Sequence, residues 1–151
     1  MKQVFTTLAL IAVLTGGMLS SCSLIDNQSS GSSNSTTQSG KVLIEDRDIA
    51  KYPMDPVMIK DASVIGDSLT MLVSYSGGCK PHDFKVVWNG AMMKSLPGQI
   101  NVVLSHNAND DMCEALITQD VTVSLAPIKQ HATNGVVIHL KGFDKPLLYK
   151  H

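Results

Sequence analysis

The chain has 151 residues, with 12 basic and 13 acidic side chains and a formal net charge of −1. So even a balance gives no electrostatic reason to expect nucleic acid as a partner. Three cysteines and 44 % apolar residues suit one small domain with a single core.

Met1-Lys2 gives a short positive start, and Val4 to Gly17 is an apolar run broken by threonines. Small residues then lead to Leu19-Ser20-Ser21-Cys22. This order describes an export signal over residues 1–21, too short for a comfortable membrane-spanning helix. LSSC at residues 19–22 resembles the lipobox of bacterial lipoproteins. The resemblance implies cleavage before Cys22 and lipidation of that cysteine. It also implies membrane attachment through the lipid, with Ser23 favouring the outer membrane. Removing residues 1–21 takes away one lysine and no acid, leaving a net charge of −2.

Residues 22–40 are almost wholly Ser, Thr, Asn, Gln and Gly after Leu24-Ile25-Asp26. Such a segment cannot build a core and is expected to act as a flexible linker. As a coil it would span on the order of 20–25 Å.

The composition changes at Lys41, and residues 41–151 form the expected domain. Val42 to Ile44 is a short first strand, and Asp46 to Pro56, carrying Pro53 and Pro56, is a connection. Ala62 and Val64 alternate up to Gly66-Asp67-Ser68, and Leu69, Met71, Val73 and Tyr75 alternate after it, which predicts a hairpin. Ser74 to Trp88 then holds the Gly77-Gly78 turn, Cys79 and a strand with His82, Phe84, Val86 and Trp88 on one face. Ile100, Val102, Leu104 and His106 alternate next, followed by Val121 to Leu125, Val136 to Leu140 and Leu147 to Tyr149. Asp111 and Glu114 have capping-box spacing, which allows one helical turn. Seven or eight short strands without a helical period predict an all-β fold, an antiparallel β-sandwich of immunoglobulin-like architecture.

With Cys22 taken by lipid, Cys79 and Cys113 remain as an even pair in an oxidising compartment, which predicts a disulfide. The loop it closes, roughly 35 residues, corresponds to about 3–4 kcal/mol in the chain-entropy model.

One natural register of the Trp88 and Val102 strands sets Trp88 against Ile100, Val86 against Val102, Phe84 against Leu104 and His82 against His106. Displacement by one further pair of residues in either direction keeps the same face inward. In each register His82 and His106 approach at one end, beside Cys79, Cys113, Asn107, Asn109, Asp110 and Asp111. The expected role of each imidazole is a hydrogen bond to backbone or to the acidic loop. The competing role is a metal site of His82 and His106 completed by Asp110 or Asp111. Asn107, Asn109 and Asp111 alternate like calcium ligands, but lack the glycine and distal glutamate of an EF-hand loop. Met92, Met93 and Met112 extend the metal reading to copper, against a plainer role as fillers. His131, His139 and His151 are scattered, and a solvated role is expected for them.

Ser76-Gly77-Gly78-Cys79-Lys80 is similar to the nucleophile motif of L,D-transpeptidases, which implies Cys79 acting on peptidoglycan. No histidine precedes Cys79, the nearest bases are Lys80 and Lys85, and pairing with Cys113 would deny the thiolate. No GxSxG, P-loop or dinucleotide motif occurs. SGGCKPHDF followed by LSHNANDDMCEALI is similar to a pattern of small exported lipoproteins of uncharacterised function, over roughly residues 62–127. Together these features predict a lipid-anchored envelope module that binds a protein or glycan partner or serves a structural role, with no cofactor. The alternatives are a metal-binding protein using His82 and His106, or a cysteine-dependent enzyme.

Overall fold

The alternation of apolar residues becomes the lining of two packed sheets. The structure, a computed structural model, describes residues 38–151. The export signal, Cys22 and nearly all of the linker therefore lie outside the described residues. The strands are β1 (Gln38–Val42), β2 (Ile44–Glu45), β3 (Met58–Ile65), β4 (Ser68–Gly77) and β5 (Asp83–Met93). They continue as β6 (Gly98–Asn107), β7 (Ala115–Ser124), β8 (Val136–Leu140) and β9 (Leu147–Tyr149). One sheet has the order β1-β7-β4-β3 and the other β2-β5-β6-β8-β9.

The expected all-β sandwich is what forms. Leu69, Met71 and Val73 of β4, with Val121 and Val123 of β7, line one inner face and are fully buried. Phe84, Val86, Trp88, Ile100, Val102 and Ile138 oppose them from the second sheet. Burial of one such side chain contributes roughly 1.5–3 kcal/mol, so a one-residue slip in any central strand would expose several of them at once.

Local pairings follow the sequence. β3 and β4 make a hairpin in which Ile65 faces Ser68 across Gly66-Asp67, and Gly66 takes the left-handed φ of +56°. Asp67 at this tip accepts hydrogen bonds from Lys129 Nζ (2.8 Å) and Tyr149 Oη (2.9 Å). It thereby ties the hairpin to the 3-10 turn Ala126–His131 and to β9. In β5 and β6 the realised register pairs Phe84 with His106, Val86 with Leu104 and Trp88 with Val102. This is one of the displaced registers, and a bulge between Trp88 and Met92 shifts the rest of the hairpin.

Non-local pairings depart from the expectation. Among the described residues there are nine strands, and β1–β7, β2–β5 and β6–β8 pair in parallel, so both sheets are mixed. The single strand read over Val42 to Ile44 is two strands in different sheets. Leu43 stands between them, 2 % exposed in the core, as the chain crosses from one sheet to the other. β1 also begins at Gln38, three residues before the change in composition. The 3-10 turn Ile49–Lys51 occupies part of the Asp46–Pro56 connection. The helical turn read at Asp111 does not form, because Asn109 and Asp110 adopt φ of +53° and +54° and turn the chain the other way.

Candidate functional site

The polar end of the sandwich is built from three connections that meet. Residues 78–82 lead into β5, residues 108–114 join β6 to β7, and Pro53–Pro56 runs along the end of β6. The first two are stapled by the Cys79–Cys113 disulfide, with a Cα–Cα distance of 5.8 Å. Lys80 Nζ donates to the carbonyls of Asn109 (3.0 Å) and Asp110 (2.7 Å). Asn109 Nδ2 donates back to the Pro81 carbonyl at 2.8 Å.

Asp111 organises this clasp. Its Oδ2 accepts the successive backbone N–H groups of Gly78 (2.9 Å), Cys79 (3.0 Å) and Lys80 (3.0 Å), while Oδ1 accepts that of Cys113 at 3.0 Å. Consecutive N–H groups turned to one point form a nest for an anion, and here the chain's own carboxylate fills it. The Cys113 and Lys80 N–H groups hold the Asp111 carboxyl far below the ordinary carboxylate range, with the Cys79 N–H and His82 adding to them.

His82 and His106 meet as expected, within a cage of aromatic rings. Phe84 stacks on His106 with centroids 4.7 Å apart and planes 5° apart, and Tyr75 from the opposite sheet lies 4.5 Å from His82. His82 Nδ1 is 2.8 Å from His106 Nε2, and His82 Nε2 is 3.2 Å from Asp111 Oδ2. His106 Nδ1 faces the carbonyls of Asp55 (3.2 Å) and Pro56 (3.1 Å).

These contacts determine the hydrogens. His106 Nδ1 faces only carbonyl oxygens and must donate. His82 Nε2 faces a carboxylate and must donate. The two remaining nitrogens share one hydrogen between them. Burial disfavours charge on His106, and the neighbouring His82 acts in the same direction against the Asp55 carbonyl. The His82 side chain, like that of Asp111, is 1 % exposed.

The metal reading fares differently for each residue. A tetrahedral ion bound to both rings at ordinary zinc–nitrogen distances would hold those nitrogens about 3.3 Å apart, with their lone pairs turned to the metal. Here they point at one another and share a hydrogen. Asp110 is exposed and joins the clasp through its carbonyl, not its carboxylate. Among the described residues, the group of three ligand-capable side chains whose donor atoms all lie within 4.8 Å of one another is Cys79, Asp111 and Cys113, and two of these donors are the disulfide sulfurs. An open recess of about 360 Å³ beside the clasp is lined by His106, Asp110 and Asp111, but not by His82.

Sequence reasoning missed Pro53–Pro56. His106 N donates to the Pro53 carbonyl (3.1 Å), Asp55 N to the His106 carbonyl (3.0 Å), and Ser105 Oγ to Pro53 (2.8 Å). Asp55 Oδ2 accepts the Ala108 N–H at 2.7 Å. The available signal was an aspartate held between two prolines, a rigid segment that offers carbonyls and few N–H groups.

No family model matches the chain, and no curated protein matches it either. Solved structures share its fold. A NigD-like immunity protein from Bacteroides caccae superposes with a TM-score of 0.56 at 19 % identity, over 66 % of this chain and 51 % of that one. A protein of unknown function, DUF1344, from Bacteroides vulgatus gives a TM-score of 0.52 at 17 % identity, over 78 % and 57 %. The chain thus spans little more than half the length of these neighbours.

Proposed function

We propose that the chain is a lipid-anchored module of the cell envelope, held through Cys22, with a sandwich head that binds a partner or supports a larger assembly. The observation that carries this reading is the internal commitment of the clasp. The ring nitrogens of His82 and His106 and both oxygens of Asp111 are engaged by protein groups, and Cys79 is oxidised. An end built in this way staples the fold and offers no activated nucleophile or open metal shell. The disulfide itself suits an exported protein.

In this reading residues 1–21 are removed, residues 22–37 form the tether up to β1, and Ser23 directs the protein to the outer membrane. Stable attachment needs more than one acyl chain, each buried methylene contributing roughly 0.8 kcal/mol. The test is incorporation of a labelled fatty acid in the producing cell. Wild-type protein takes up label and stays on membranes washed with carbonate, and Cys22→Ser does neither. Wild-type protein that washes off without detergent refutes the anchor.

A further inference from the structure

β6 has a gap in its pairing that the clasp does not use. On the side away from β5, the Val102 carbonyl accepts the Lys141 N–H (2.9 Å), and the His106 N–H donates to the Pro53 carbonyl (3.1 Å). Leu104 lies between them and turns its own N–H and carbonyl to the same side. Among the described residues nothing pairs with either group.

Two local causes keep the gap open. Had β8 held its parallel register, the Phe143 N–H would reach the Leu104 carbonyl. It bonds instead to the Leu140 carbonyl at 3.0 Å, with Gly142 at φ +86°, and the chain curls away. From the other side Met54 bridges His106 in parallel, which sets residue 53 where a donor to Leu104 would stand. Pro53 has no N–H to give. The result is an open cleft of about 450 Å³ with Leu104 in its floor, Lys141 at one end and Asp55 at the other. Its size and mixture of apolar walls with a few polar groups are those of a small-ligand site.

The cleft is polarised. The Leu104 N–H lies toward Lys141, which is exposed and makes no ion pair among the described residues. The Leu104 carbonyl lies toward Asp55, whose Oδ2 is taken by the Ala108 N–H while Oδ1 has no partner among the described residues. The complement is therefore an anionic acceptor at one end and a cationic donor at the other. One amino-acid backbone laid antiparallel to Leu104 supplies both, because opposed residues of that kind exchange two hydrogen bonds. A longer strand is shut out: the positions beside Val102 and His106 are filled, and only about 13 Å separates those residues. Residues opposed in this way show their side chains on the same face, and that of Leu104 is turned to the core. Val57 and Ile59, packed against the core where the chain enters β3, wall the cleft on that side. We propose that the cleft binds a free L-α-amino acid with an aliphatic side chain. The carboxylate takes the Leu104 N–H and the Lys141 ammonium, and the ammonium group takes the Leu104 carbonyl and the Asp55 carboxylate.

The proposal rests on the reading of the head as an envelope binding module and names its ligand class. It is tested by amide NMR of the full chain in detergent, titrated with L-leucine. The expected result is a saturable shift centred on the Leu104 amide. D-leucine, which turns its side chain away from Val57 and Ile59, binds at least about tenfold more weakly. Leucinamide, without the negative charge, and the deaminated acid, without the ammonium group, each lose at least about tenfold. Lys141→Met, at an exposed position, keeps the fold and removes the difference between leucine and leucinamide. No saturable shift at Leu104, equal binding of D-leucine, or a ratio of leucine to leucinamide affinity that Lys141→Met leaves unchanged overturns the proposal. Fatty-acid labelling at Cys22 reads the anchor separately, so failure of either reading leaves the other's result unchanged.

Discussion

Gly77→Ala offers a sharp test of the clasp, because Gly77 has no side chain where His82 and Asp111 meet. A Cβ built on Gly77 would lie 2.6 Å from His82 Nε2, 2.7 Å from His82 Cε1 and 3.1 Å from Asp111 Oδ2. The φ at Gly77 is not in the left-handed region, so alanine meets no backbone penalty and its whole effect is steric. The ring cannot retreat, because Tyr75 is against it and its Nδ1 is fixed on His106. Overpacking at a site of this kind costs about 1–3 kcal/mol. In a domain of this size each kcal/mol lowers Tm by about 4 °C, so a fall of roughly 4–12 °C is expected by thermal denaturation. Gly66→Ala is the control: its Cβ meets nothing within 4 Å, and φ of +56° leaves only backbone strain. That strain amounts to about 1 kcal/mol. The imidazole resonances of His82 should move in the Gly77 variant and stay in place in the Gly66 variant. A Gly77→Ala protein that melts within about 1 °C of wild type, well inside the smallest expected shift, with unmoved His82 resonances, would refute the described geometry.

Replacing both cysteines, Cys79→Ser with Cys113→Ser, should lower stability by about 3–4 kcal/mol in denaturant titration, and denatured unreduced wild type should show neither thiol. Asp111→Asn should destabilise the protein at neutral pH. Because the folded state depresses the Asp111 pKa, its contribution is complete above the unfolded carboxylate value and is lost as pH falls through the folded one. The gap between wild type and Asn variant should therefore close only in strong acid, and a gap that closes by mild acidification would contradict the nest. The Tyr149 phenol is pushed up to about 12, chiefly by burial and then by its hydrogen bond to Asp67. Its contribution is present below the unfolded tyrosine pKa and lost as pH rises through the folded one. Ultraviolet titration should find the Tyr149 phenol ionising only near the top of the range, and Asp67→Asn should bring its ionisation to lower pH.

What the sequence revealed and what it withheld divide along physical lines. Period-two alternation put Phe84, Val86, Trp88, Ile100, Val102 and Leu104 on the inner faces, because facing the core is a property of each strand alone. It also brought His82 and His106 to one end, since every register that kept that face inward did so. The choice among registers was beyond it: the bulge near Ala91 and the stacking of Phe84 on His106 are cross-strand facts. Parallel partners were hidden for a similar reason, as β1 meets β7 across some eighty residues with no turn to advertise the pairing. Asp111 was picked out for its charge, yet its partners are mostly backbone N–H groups, which no residue alphabet records. The prolines at positions 53 and 56 signalled a break in structure, and the carbonyls they fix against His106 went unread.

Leu43 also has a mechanical consequence. The residues on either side of it belong to different sheets, with the Leu43 N–H bonded to Ser124 and the Asp46 N–H to Trp88. A pull arriving from the N-terminal side through β1 is therefore divided between the two layers. To come away, the chain must loosen strand pairing in both and draw a buried leucine out through the core. The first strands act as a strap sewn across the seam of the sandwich.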